Sequence, residues 1–290
     1  MSDAHRLRLA FSGLHPERIR DLTDRFGDPA AAIAAITRRR VKASEAIRSN
    51  LAVPAVRREA ELEALGITVV RRGEPAYPAH LERFEDAPDL LFVRGELPTV
   101  PGVGIVGTRR CTAYGLELAD AYGVAVAEAG WPVVSGLARG IDGAAHRGMV
   151  TAGGRGVAVL GCGIDVTYPR EHRRLGDQIL ELGGAIVSEY PPGSRPDAWR
   201  FPLRNRIIAG LSAAVVVVEA GVTGGALITA LKAAEYGIAV FAMPGDVDRK
   251  ASEGTNRLIR DGAFPVFDPG DLVEELSLIH ALATTRGEGV

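Results

Sequence analysis

Apolar residues in the first part of the chain recur at helical spacing. Ile19, Leu22 and Phe26 lie three and four apart, after Leu7, Phe11 and Leu14. The pattern predicts an all-helical segment over residues 1–65. Gly27-Asp28-Pro29 should stop one helix and start the next, with Asp28 as N-cap and Pro29 at the first helical position. From residue 66 to 101 the pattern changes to two short β-like runs, 67–70 and 90–93, spaced by Gly73, Pro75, Pro78, Pro88 and Gly95. These read as edge strands added to the domain that follows. From residue 103 onward, apolar runs alternate with Gly-containing turns and helix-like stretches. The predicted strands are 103–106, 132–134, 157–160, 185–187, 213–218 and 239–242. Continuous apolar runs belong to strands buried on both faces. Strand–helix alternation with short links is the pattern of a doubly wound, mostly parallel sheet. A helix-like stretch over 271–283 and a polar tail complete the chain. The expected fold is α/β and extended Rossmann-like, with a small all-helical domain in front. The expected units are 1–65, 66–270 and 271–290.

Composition narrows the class. Apolar residues make up 47% and charged residues 24% of the 290 residues, the mix of a globular protein. Cys111 and Cys162 are the only cysteines, too far apart in sequence to suggest a metal site or a disulfide framework. The charged N-terminus lacks the apolar run of a signal peptide, and the longest apolar stretch, 207–218, is too short to span a bilayer. A cytoplasmic protein without membrane insertion is expected. The net charge of −2 argues against a surface coated in basic charge, but binding of nucleic acid depends on a local patch. Arg38-Arg39-Arg40 reads as a solvated helix end.

In an open parallel sheet, ligands bind beyond the carboxyl ends of the strands. The loops there are rich in glycine: Gly107-Thr108-Arg109-Arg110, then Ser135-Gly136 through Arg139-Gly140, Gly161-Cys162-Gly163, Glu219 through Gly224-Gly225, and Pro244-Gly245-Asp246. Glycine lets backbone approach a ligand, and N–H groups at helix starts bind phosphate. The dinucleotide fingerprint is missing: arginines stand where its second glycine should be, and Ser135 stands where an acid should close the second strand. No phosphate-binding loop of the GxxxxGK[ST] type occurs. Arg109, Arg110, Arg139, Arg204 and Arg206 fall in or beside these rim loops, and guanidinium groups pair with phosphate and stack on bases. Phe201 sits among cations, between Arg200 and Arg204-Asn205-Arg206. It is either a stacking platform for an unpaired base or a core residue anchoring a loop. Asp142 and His146, one helical turn apart, could form an acid–base pair, but Asp142 reads rather as a helix N-cap. Asp165, Glu189, Glu219, Asp246 and Asp248 are strand-end acids without a clear partner. No catalytic constellation, metal site or cofactor is expected.

Together these loops resemble the DNA-processing protein A (DprA/Smf) family. The matching residues run from about Ile67 to Phe267 and include GIVGTRR (104–110), VVSGLARGIDGAAHR (133–147), AVLGCGIDVTYP (158–169), FPLRNRIIAGLS (201–212) and GTNRLIRDGA (254–263). The front, with Phe26-Gly27-Asp28-Pro29, resembles the SAM-like or helix–hairpin–helix domain of many members. The resemblance implies a homodimeric, non-enzymatic protein. It would hold incoming single-stranded DNA during natural transformation and load the RecA recombinase onto it. The implied DNA-binding residues are Gly107, Thr108 and Arg109, with Phe201 to Arg206 supplying stacking and charge. Two departures stand out: Ala226 replaces a usual serine, and the chain stops too soon for the winged-helix domain that ends many members.

Two other classes fit the glycine rim. One is a nucleotide sensor. The other is a nucleotide-processing enzyme similar to the LOG-type phosphoribohydrolases, whose Pro-Gly-Gly-x-Gly-Thr-x-x-Glu signature lacks its glutamate in 221–229.

Overall fold

The computed structural model describes residues 2–285, with no account of the side chains of Ser2, His280 and residues 282–285. The last residues of the expected polar tail, 286–290, lie outside the described residues.

The front is helical as its periodicity predicts. It consists of α1 (Ser2–Ala10), α2 (Pro16–Phe26), α3 (Pro29–Thr37), α4 (Glu45–Ala52) and α5 (Ala55–Ala64). Asp28 caps α3, its carboxylate accepting from the Ala31 N–H at 2.8 Å, and Pro29 opens the helix. Leu9, Leu22, Ile33, Ile36 and Leu51 form a small core of their own. Leu7 and Leu62 join the core of the following sheet instead, and Phe11 meets Phe92 edge-on with ring centres 5.7 Å apart. Arg38, Arg39 and Arg40 are exposed beyond the end of α3.

The rest is built on β1 (Thr68–Arg71), α6 (Ala79–Glu82), β2 (Leu90–Gly95), β3 (Gly102–Val106), α7 (Ala113–Glu128), β4 (Val133–Ser135), α8 (Ile141–Thr151) and β5 (Gly156–Leu160). A short turn of helix at Arg170–His172 leads into α9 (Arg173–Glu181), then β6 (Ala185–Ser188), α10 (Arg200–Gly210), β7 (Ser212–Val217) and α11 (Gly225–Glu235). Then follow β8 (Ala239–Ala242), α12 (Glu253–Arg260), β9 (Phe264–Pro265) and α13 (Pro269–Thr285), the last of the described elements. The strands form one sheet in the order β1-β2-β6-β5-β4-β3-β7-β8-β9. From β6 to β9 neighbours run parallel, while β1 and β2 are antiparallel additions at one edge. The two β-like runs thus extend the sheet at one side, with β1 as its edge and β2 paired between β1 and β6 rather than at the edge. The two-residue β9, at the other edge, is too short to leave a sequence pattern.

The central strands are buried on both faces. Ile105 and Val103 pack with α7, α8 and α13, whereas Val106, Val134 and Val159 pack with α10 and α11. Fully burying each such side chain is worth roughly 1.5–3 kcal/mol. Chain order reverses between β3 and β7, so the crevice at their carboxyl ends is the switch point where doubly wound sheets take ligands. Among the described residues no helix is long and apolar enough to cross a membrane.

Two stretches differ from their expected form. Residues 200–206 are not a rim loop but the start of α10, because Pro202 lies in the first turn, where the missing N–H has no helical partner to lose. Ser135 is the last residue of β4 rather than part of the loop after it: its hydroxyl donates to the Ile105 carbonyl at 2.6 Å and its side chain is fully buried.

Helices α7 and α8 pack with their backbones nearly in contact. A β-carbon at Gly123 would lie 2.1 Å from the Ala145 carbonyl oxygen, and one at Gly148 would lie 1.9 Å from that of Asp120. Only glycine permits that approach. Gly148→Ala should therefore force the helices apart and destabilise the chain by about 3 kcal/mol. Urea unfolding checks this, since an unchanged midpoint would mean that the helices adjust without cost.

Candidate functional site

The loops after β3 and β7 face each other across a groove of about 650 Å³. Its walls are Gly107, Thr108, Arg109 and Arg110 on one side and Gly221, Thr223, Gly224, Gly225 and Ala226 on the other. Phe201, Pro202, Arg204 and Asn205 from the start of α10, with Asp142 from α8, complete it.

The two loops are tied by Glu219, a strand-end acid whose partner the sequence did not reveal. Its backbone carbonyl accepts from the Thr108 N–H at 2.8 Å. Its carboxylate accepts from the Thr112 N–H at 2.9 Å and the Thr112 hydroxyl at 2.5 Å. Thr112 in turn caps α7, its Oγ1 accepting from the Gly115 N–H at 3.0 Å. On the far wall the Asn205 amide donates to the Gly225 carbonyl at 2.9 Å, as does the Thr229 hydroxyl at 3.1 Å. This holds the glycine turn where Gly224 and Gly225 begin α11. The first N–H groups of that helix are free of helical partners and carry the positive end of its dipole. Ala226 lies in the same wall, buried and without a hydroxyl.

Arg109 is exposed and lies over the Phe201 ring, 4.7 Å from its centre. Phe201 is half-buried. One edge meets Tyr168 at 5.6 Å, and the ring rests on Gly161, where a β-carbon would come within 2.8 Å of Cδ1. The ring is part of the groove wall, not of the core. Arg110 is exposed beside it.

Below the groove lies a buried cation. Arg204 is only 3% exposed, and its Nη1 donates to the Val159 carbonyl. Burial lowers its pKa to about 10, with Asp142 opposing the shift. Asp142 is buried alongside, its carboxyl pushed up by that burial and pulled back by Arg204 and Arg109. Asp142 is not the N-cap of α8, a place taken by Gly140. It lies in the first turn, where its carboxylate accepts from the Gly136 N–H at 3.1 Å and holds the loop after β4.

The remaining expected residues lie off the groove lining. Gly136 packs against the Arg204 guanidinium, and Gly140, at φ +77°, brings the start of α8 against the Thr108 carbonyl. Both shape the floor from behind, as does buried Ser135. Arg139 is exposed but ion-paired with Glu171. The Arg206 Nη2 donates to Glu189 at 2.6 Å and its Nε to the Asp86 carbonyl at 2.8 Å. Two positions apart on a helix, Arg204 and Arg206 face opposite ways, so both cannot line one rim. Arg200 lies under Trp199 and Tyr190 instead. Tyr168 and Thr223, both in the lining, fall within stretches read from the sequence as rim loop and family motif, but nothing in their local pattern singles them out as contact residues.

His146 makes no acid–base pair with a substrate-facing Asp142. It is fully buried in α8, and burial pulls its pKa down to about 3. The folded chain therefore keeps it neutral, while the unfolded chain protonates it below an ordinary value of about 6.5. Its contribution is complete above that value and is lost as pH falls, by about 2 kcal/mol at pH 5. Urea titrations of the parent and His146→Leu at about pH 7.5 and about pH 5 should show a smaller loss in the variant. Equal losses would refute the assignment.

The family profile described as DNA recombination-mediator protein A matches residues 68–277. Protein Smf of Escherichia coli is 44% identical over 202 residues, covering 69% of this chain and 54% of that protein, so the match spans about half of its length. The crystal structure of DNA processing protein A from Streptococcus pneumoniae superposes with a TM-score of 0.77 at 32% identity, covering 95% of this chain and 99% of that one. DNA processing protein A from Helicobacter pylori, described for its single-stranded DNA binding mode, superposes with a TM-score of 0.65 at 27% identity, covering 72% and 95%.

Proposed function

The chain belongs to the DNA recombination-mediator protein A family, and on that premise we propose that the groove between the β3 and β7 loops holds single-stranded DNA. The observation that carries this reading is Arg109 lying over Phe201 in the groove wall, a guanidinium for phosphate beside a ring for a base. We assign direct contact to Gly107, Thr108, Arg109, Arg110, Phe201, Gly224 and Gly225. Arg204 and Asn205 support the site from below and from the side. The H. pylori relative described for its single-stranded DNA binding mode supports the reading.

The wider role we propose follows the family. The protein would shelter incoming single strands during natural transformation and load the RecA recombinase onto them in the cytoplasm, with no covalent chemistry of its own. We propose three units: the helical front (1–65), the Rossmann-like DNA-binding domain (66–270) and a C-terminal helix and tail (271–290). A homodimer would form at the β9 edge, where Phe264 and Phe267 are exposed. Light scattering at micromolar concentration should find a dimer, and monomer alone would remove that part of the proposal.

Unpaired DNA should bind better than duplex, with slight sequence preference and a steep loss of affinity with salt. Arg109→Ala should weaken binding to every sequence and flatten the salt dependence by about one charge. Phe201→Ala should cost roughly 1–3 kcal/mol and leave the salt slope nearly intact. Because the two side chains touch, the double variant should lose less than the sum of the singles. Fluorescence anisotropy on oligothymidine at several salt concentrations measures all of this, with circular dichroism as folding control. The groove volume also suits a small phosphorylated ligand. Failure to bind single strands, together with a thermal shift in mononucleotide, would replace the DNA reading by a nucleotide sensor.

A further inference from the structure

A second groove, of about 630 Å³, runs between the front helices and the turn at 191–194. We propose that a single strand held in the first groove continues across Trp199 into this second one, so that the helical front is part of the DNA path. The proposal rests on the reading of the first groove as a single-strand site.

One stretch of chain separates the two grooves and supplies a wall to each. Pro191, Ser194 and Arg200 line the second, and Pro196, Ala198 and Phe201 line the first. Trp199 stands between them, 42% exposed. An aromatic ring at the border of a groove offers the amphipathic surface on which a base can stack. This ring is also held in place: His15 of the helical front stacks on it at 4.6 Å and 26°, Tyr190 meets it edge-on at 6.1 Å, and the Arg200 guanidinium lies 5.0 Å from its centre. A ring already fixed loses little freedom when a base stacks on it.

The chemistry of the first groove repeats along this line. Arg109 lies over Phe201 at 4.7 Å, Arg200 over Tyr190 at 4.8 Å, and Arg58 over Phe11 at 4.5 Å. Alternating guanidinium and ring is what a strand of alternating phosphate and base requires. Arg58 and Arg200 each keep a buried Nε without a hydrogen-bond partner. Each also pairs with an acid, Arg58 through Nη1 with Glu61 at 2.9 Å and Arg200 through Nη2 with Asp197 at 3.4 Å. The second groove is therefore less positive than a phosphate channel, and Trp199, at the border between the two, is the stacking platform the path would use. Continuity with the first groove favours the same strand as occupant over a peptide.

The test compares short and long strands. Anisotropy is measured at one salt concentration on oligothymidines of about 6 and about 20 nucleotides. Trp199→Ala should weaken the long strand about tenfold and leave the short one unchanged, with Trp199→Phe recovering most of the loss. Arg109→Ala should weaken both. Trp199→Ala acting equally on both lengths, or on neither, while Arg109→Ala still weakens both, would overturn the extended path and leave the first groove standing. A parent protein that binds neither length would overturn both readings. Should Trp199→Ala fail to fold, Trp131→Phe leaves Trp199 as the sole tryptophan of the two in the chain. Its fluorescence should then be quenched by the long strand and not by the short one, and silence with the long strand would overturn the proposal.

Discussion

One buried carboxylate spans the switch point of the sheet. Doubly wound topology brings the ends of β3 and β7 side by side, but topology alone leaves the loops beyond them free to splay. Glu219 removes that freedom. It is 8% exposed, and its carboxylate takes both the N–H and the hydroxyl of Thr112 while its carbonyl takes the Thr108 N–H. A buried carboxylate is costly unless its oxygens are satisfied, and here the donors come from the very loop that must be held. The start of α7 adds the positive end of a helix dipole. Gly115 in that first turn has no side chain where one would meet the carboxylate at 2.4 Å. Arg109, three residues before Thr112, is thereby carried to a fixed place opposite the glycine turn of α11.

Electrostatics in the groove come from depth as well as from the rim. Arg204 lies deep in the floor, almost wholly buried, with Asp142 beside it, and a charge in that environment acts over distance with less screening than a surface charge. Asp142 cancels part of it, but burial disfavours the Asp142 anion more than the loop hydrogen bonds favour it. The exposed Arg109 and Arg110 add rim cations to the groove although the whole chain carries −2. The average charge is uninformative because cations elsewhere are spent on partners: Arg139 on Glu171, Arg206 on Glu189 and Arg71 on Glu74.

The parallel sheet was legible because its strands are continuous apolar runs, and the front because Asp28-Pro29 and the Ile19, Leu22, Phe26 spacing are local signals. The groove was legible in outline, since glycine loops at strand ends follow from sheet topology. Which arginine faces it was not. Read as a loop, 200–206 puts every cation on the rim; as a helix, it buries Arg204 under the floor and turns Arg206 away to Glu189. That difference depends on the helical phase, which Pro202 obscures in the pattern. The Glu219–Thr112 clamp was invisible for another reason: its partners are 107 positions apart, and nothing in either neighbourhood marks them.

The free protein already satisfies Arg109 and Phe201 with each other. A guanidinium 4.7 Å over a ring is itself a favourable contact, of order 0.5–1 kcal/mol where water still reaches it. A strand entering the groove, on the reading proposed above, must therefore exchange that contact for two new ones, phosphate on the guanidinium and base on the ring. Such an exchange has two consequences. The side chains are ordered beforehand, so little conformational entropy is lost on binding. The net gain per nucleotide is smaller than the gross stacking and pairing energies, and it scarcely depends on the base. On that reading the strand is held less tightly than its gross contacts suggest, which would suit the handover proposed above.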